Sequence, residues 1–132
     1  MIVYVDTSAA MKLLVDEAES DALAEHLEKS RTRAGDTLVA SLLLHTELHC
    51  ASNRRPEVVH PDAVADVLSV LALVDVENGD LTTAPLLPGT LRYADAIHLA
   101  TALRVDAREL VAYDQELCSA ATIAGIVVRS PR

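Results

Sequence analysis

Apolar residues in this chain fall into short blocks, and longer stretches of mixed character lie between them. Residues 2–5 (Ile-Val-Tyr-Val) and 110–113 (Leu-Val-Ala-Tyr) are uninterrupted apolar runs. Runs of that length suit strands buried on both faces, as in a parallel sheet. Residues 37–40, 73–76 and 126–128 read as three further strands. Between the blocks the pattern turns helical. Residues 8–14 predict a helix whose cap chemistry comes from Asp6 to Ser8. Residues 20–29 set Leu23 and Leu27 on one stripe. Residues 41–53 predict a helix carrying Glu47, and residues 61–71 one that opens on Pro61 and Asp62. Two more helices are predicted over 93–104 and 115–124, the second stopped by Gly125. Residues 78–90 hold two Gly and two Pro and predict an irregular stretch.

This alternation predicts an α/β fold with a central, mostly parallel sheet of four to five strands and helices on both faces. No repeat, low-complexity segment or linker interrupts it, so residues 1–132 read as a single domain. Composition sharpens the picture. The chain is 51% hydrophobic yet has no Phe or Trp and three Tyr, so its core is aliphatic and the disorder signature is absent. No apolar run approaches the roughly 20 residues of a membrane helix. No basic region precedes the first apolar run, which argues against a secretory signal and for the cytoplasm. Cys50 and Cys118 fall in predicted helices without metal-ligand spacing and are expected to be buried thiols in a reducing compartment. The net charge of −9 argues against gripping nucleic acid by bulk charge, although a bound cation reverses the field locally.

Two of the apolar runs lead into an aspartate, Asp6 and Asp114. As parallel strands of one sheet they would deliver both carboxylates to the edge where open α/β sheets bind ligands. Neighbouring strands lie about 4.8 Å apart. Carboxylates held that close need a cation or a shared proton. Asp95, in the first turn of its helix, and Glu47 both sit in apolar surroundings, where acids are seldom buried unless paired or metal-bound. A capping or surface role is the alternative for each. A hard divalent cation fits such oxygen ligands, and four acids suit Mg²⁺ or Mn²⁺ better than Zn²⁺.

Other residues weigh less. His45 and His49 share a helix face, about 200° from Glu47 in the case of His45, and read as structural or exposed. His98 lies one turn beyond Asp95 and reads as a packing residue or a support for the acids. His26 and His60 read as surface residues. Ser8 is placed to hold Asp6 or to cap the helix, and Lys12 to reach a phosphate or solvent. The Gly-rich phosphate loops and the Gly-x-Ser-x-Gly elbow are absent.

The segments Val3-Tyr4-Val5-Asp6-Thr7-Ser8-Ala9, Glu47 in its apolar helix, Tyr93-Ala94-Asp95-Ala96-Ile97-His98-Leu99-Ala100-Thr101-Ala102 and Val111-Ala112-Tyr113-Asp114 together resemble the PIN-domain ribonucleases, most closely the VapC-type toxins of bacterial toxin–antitoxin pairs. The resemblance implies a PIN-like three-layer sandwich and a Mg²⁺- or Mn²⁺-dependent endoribonuclease. Asp6, Glu47, Asp95 and Asp114 match its acidic quartet, and Ser8 its small hydroxyl residue. Asp6 and Asp95 are then the direct ligands. Glu47 ligates or orients water, and Asp114 holds a second ion or acts through water. The resemblance also implies a homodimer, neutralised by a small VapB-like antitoxin. Two other readings stand beside it. A receiver-type phosphoacceptor domain would need a Lys near the end of the last strand, where this chain has Arg129. A catalytically inactive PIN-like binding module would bind no divalent metal.

Overall fold

The computed structural model describes residues 1–33 and 35–132. It contains five strands: β1 (Ile2–Val5), β2 (Thr37–Ser41), β3 (Ala72–Val74), β4 (Glu109–Val111) and β5 (Val127–Arg129). Its helices are α1 (Thr7–Leu14), α2 (Ser20–Thr32), α3 (Leu42–Arg54), α4 (Pro61–Ser69), α5 (Asn78–Thr83), α6 (Tyr93–Arg104) and α7 (Gln115–Ile123), with a 3₁₀ turn at Ala84–Leu86. All four strand pairings are parallel, in the order β3-β2-β1-β4-β5.

The apolar run of β1 is buried on both faces, as expected. Tyr4 enters a cluster with Leu99, Leu110 and Leu117 under α6 and α7. Val3 and Val5 face the other way, against Leu23 and Leu27 of α2 and Leu38 of β2. A third cluster, Leu44, Leu48, Val59 and Val64, joins α3 and α4 beside Ala40 of β2. Leucines 99, 110 and 117 are fully buried, and each such side chain stabilises the fold by about 1.5–3 kcal/mol through lost water contact. Helices therefore cover both faces of the sheet. No helix among the described residues is long and apolar enough to cross a membrane.

Several local expectations change. Residues 78–90 are not wholly irregular. Glu77 and Asp80 form a reciprocal capping box that starts α5, and Asp80 is buried against Arg104 and Thr101. β4 ends at Val111, two residues before the expected Tyr113, because the Tyr113 amide donates to Ser8 Oγ instead of continuing a ladder. Neither thiol is fully buried: Cys50 is exposed and Cys118 is half-buried, and both are free. His26 is half-buried, with Nε2 2.7 Å from Glu109 Oε1. His60 is exposed, as read.

The chain builds outward from β1 in one direction through β2 and β3, then returns to build the other side through β4 and β5. The direction reverses between β1 and β4. Ligand crevices of open α/β sheets form at such a reversal, outside the carboxyl ends of the strands.

Candidate active site

Asp6 follows β1 directly at this reversal. Its backbone N–H donates to Val111 O of β4 at 3.0 Å, which extends the sheet by one bond. Its side chain caps α1. The Ser8 amide and hydroxyl both donate to Asp6 Oδ2, at 3.1 and 2.7 Å. Ser8 Oγ in turn accepts from the Tyr113 amide at 3.0 Å. Of the two roles expected of Ser8, it fills the first, holding Asp6, while Asp6 itself is the helix cap; Ser8 also ties the two strand ends. The second Asp6 oxygen, Oδ1, is buried and has no hydrogen-bond partner among the described residues.

Glu47 reaches the same edge from the middle of α3. Thr7 Oγ1 donates to its Oε1 at 2.8 Å, and His98 Nε2 lies 2.6 Å from the same oxygen. His98 is fully buried. Its Nδ1 is 2.7 Å from the Tyr4 hydroxyl, which accepts from the Ser41 amide at 3.1 Å. A neutral ring takes the Tyr4 proton at Nδ1, and a cationic ring donates from both nitrogens. In both states Nε2 donates to Glu47. Burial opposes charge on the imidazole, but the Glu47 bond and the field of Asp6 outweigh it and raise the His98 pKa above the usual value. Burial likewise works against the Glu47 charge, while the His98 and Thr7 bonds hold its pKa below the usual one. His98 is therefore more than a packing residue: it fixes which way Glu47 points.

Asp95 lies in the first turn of α6 and is half-buried. Burial first, then the charges of Asp6 and Asp114, raise its pKa to about 6. Glu47 adds to the same field. Asp114 is exposed and stands beyond β4, where it caps α7 by accepting from the Leu117 amide at 2.9 Å. Asp95 thus lies within the field of the other three acids. Among the described residues, however, no three His, Cys, Asp or Glu side chains stand close enough to cage an ion directly.

Lys12 does not point freely into this site. It pairs with Glu17 and Glu19 at 3.1 and 3.2 Å and stands 4.9 Å from the Tyr113 ring centre. His45 and His49 share a face of α3, with ring centres 4.4 Å apart. The spacing Asp95-x-x-His98 placed those two side chains on one helix face in the sequence. No comparable signal marked Thr7.

The donor set fits a hard divalent cation. A buried carboxyl oxygen without a hydrogen-bond donor is costly, and among the described residues Asp6 Oδ1 is such an oxygen. Mg²⁺ keeps several of its waters and needs only one or two carboxylates, so an all-protein cage is not required.

Comparison with known proteins places this arrangement in context. The family model of the PIN domain matches residues 3–123. Ribonuclease VapC46 of Mycobacterium tuberculosis is 36% identical, over 98% of this chain and 97% of its own. Ribonuclease VapC35 of the same organism is 38% identical over the same shares of the two chains. The crystal structure of VapBC2 from Rickettsia felis, bound to a DNA fragment from their promoter, superposes with a TM-score of 0.78 at 15% identity and covers 100% of both chains. That last likeness is one of fold. The receiver-type alternative is set aside by these matches.

Proposed function

Since the chain belongs to the PIN-domain family and is a relative of the VapC ribonucleases, we propose that it is a divalent-metal-dependent endoribonuclease and the toxin of a toxin–antitoxin pair. The observation that carries this reading is the buried, donor-free oxygen of Asp6 at the β1/β4 reversal. Asp6 and Asp95 are the residues that would hold Mg²⁺ or Mn²⁺ directly. Such an ion, when bound, offsets charge on the phosphoryl oxygens and lowers the pKa of an attacking water.

The chain's own residues prepare the site. Ser8 locks one Asp6 oxygen, so the other has a fixed direction. Thr7 and His98 occupy Oε1 of Glu47, which leaves Oε2 to orient water or to ligate. Asp114 is held by its capping bond at the exposed rim, where it would act through water or on a second ion. Asp95, with its raised pKa, is the acid that most retains a proton a cation would have to displace. The strongly negative chain suits a cationic segment of a small VapB-like antitoxin, and a homodimer belongs to the same reading.

The test is direct. Purified protein with Mg²⁺ or Mn²⁺ is expected to cut RNA. Asp6→Asn keeps the Ser8 bonds and the helix cap but removes the charge, so its rate should fall at least a hundredfold while the fold stays intact by circular dichroism. Cutting by Asp6→Asn at the wild-type rate would remove Asp6 from the mechanism. Wild-type protein that binds no divalent ion would favour the inactive binding module.

A further inference from the structure

Tyr93 opens α6 two residues before Asp95, and its side chain is 80% exposed. The chain has no Phe or Trp and only three Tyr, so this is a rare aromatic surface. A single exposed ring is ordinary on a protein. Its location is less so. Tyr93 lines a groove of about 750 Å³ whose wall also contains Thr7 and Glu47. On its other side it borders an apolar groove of about 490 Å³ with Leu81, Leu87 and Ile97. Arg54 lines the first groove, and Arg92 immediately precedes the ring. Neither arginine forms an ion pair among the described residues.

We propose that Tyr93 is the platform on which an unpaired base of single-stranded RNA stacks beside the phosphate to be cut, with Arg54 of the same groove available to a flanking phosphate. The inference rests on the ribonuclease reading and adds a substrate-positioning residue to it. Charge supplies the reason. A chain of net charge −9 repels a phosphate backbone and has few free cations to grip it. Stacking on an aromatic face needs no net charge and tolerates any base, because every base has a π-face. Paired bases in an A-form duplex are not free to stack on a side chain, whereas splayed single-stranded bases are. The groove holds Glu47 and Thr7 beside the ring, and Asp95 follows Tyr93 by two residues on α6, so a stacked base would hold the adjoining phosphate near these acids.

Two measurements test this together. In cleavage assays, Tyr93→Ala should raise KM for single-stranded RNA by about tenfold, a normal loss for one base–aromatic stack, with kcat within twofold. Tyr93→Phe should restore KM. In the non-cutting Asp6→Asn background, Tyr93→Trp supplies the chain's one tryptophan, and its fluorescence should be quenched by a single-stranded oligonucleotide but not by a duplex of the same sequence. If wild-type protein cuts no RNA, the ribonuclease reading fails, and the fluorescence still decides the platform. If wild type cuts and Tyr93→Ala cuts with unchanged KM, the platform alone is overturned. Unchanged KM together with loss of a dimer on gel filtration overturns it too and assigns Tyr93 to contact between two copies. Absence of quenching by either nucleic acid is equally fatal to the platform.

Discussion

The two oxygens of Asp6 are treated differently by the protein around them. One is saturated by Ser8, and the other is buried with no donor among the described residues. Such an oxygen is costly to bury unless a cation meets it, and the Asp95 pKa is raised to about 6 by burial first and then by the field of Asp6. The sign of the pH effect follows. Between the ordinary carboxylate value of 3.8 and about 6, the folded protein keeps a proton on Asp95 that the unfolded chain has released. Stability therefore falls as pH rises through that window, and the full cost stands above it. A cation competes with the same proton, so divalent-ion affinity and cutting should both climb as pH passes 6. An NMR titration of the Asp95 carboxyl group is expected to show the raised value in wild type and a lower one in Asp6→Asn. An ordinary value in wild type would contradict the mutual field. Asp6 could be read from the sequence because it directly ends an apolar strand. The link from His98 to Glu47 could not, since those residues lie on different helices and only packing brings them together.

At the scale of elements, α5 shows how a segment rich in Gly and Pro becomes ordered. Glu77 and Asp80 cap the helix reciprocally. Asp80 also accepts from Arg104 Nε at 2.8 Å and from Thr101 Oγ1 at 3.2 Å. Burial opposes its charge, but Arg104 and the Glu77 amide prevail and hold its pKa below the usual carboxylate range. Asp80→Asn should lower unfolding stability at neutral pH by about 2 kcal/mol, the scale of hydrogen bonds to a charged group. Because the folded pKa is depressed, this contribution is present above the ordinary value of 3.8 and is lost as pH drops through the folded one. Urea midpoints of wild type and variant should therefore converge in acid. A constant gap across pH would assign the effect to shape rather than charge. Sequence patterning missed this helix because its anchor, Arg104, lies at the far end of α6. It overextended β4 for a related reason: Tyr113 is apolar enough for a strand, but its amide is taken by Ser8.

For the whole molecule, the layered architecture was legible because uninterrupted apolar runs and helical periods alternate so regularly. Strand order was not, because nothing local says that β4 inserts beside β1. That insertion sets Asp6 and Asp114 on neighbouring strand ends, and the repulsion Asp95 feels from them is a property of the assembled protein. Neutralising one of them should stabilise the apo form. Asp6→Asn is expected to melt higher than wild type without divalent ions. Mg²⁺ should raise the wild-type melting temperature by about 2–5 °C at tenfold excess over Kd and leave the variant unmoved. A variant that gains as much from Mg²⁺ as wild type would place the ion elsewhere. The parallel pairing of β1 with β4 also has a meaning in time. β1 leaves the ribosome about a hundred residues before β4, the strand that completes its edge and carries the chain on to Asp114. A nascent chain that has not yet released residues 109–114 has half a rim. Whatever the finished rim binds, it becomes able to do so only after residues 109–114 have been made, more than a hundred residues after Asp6.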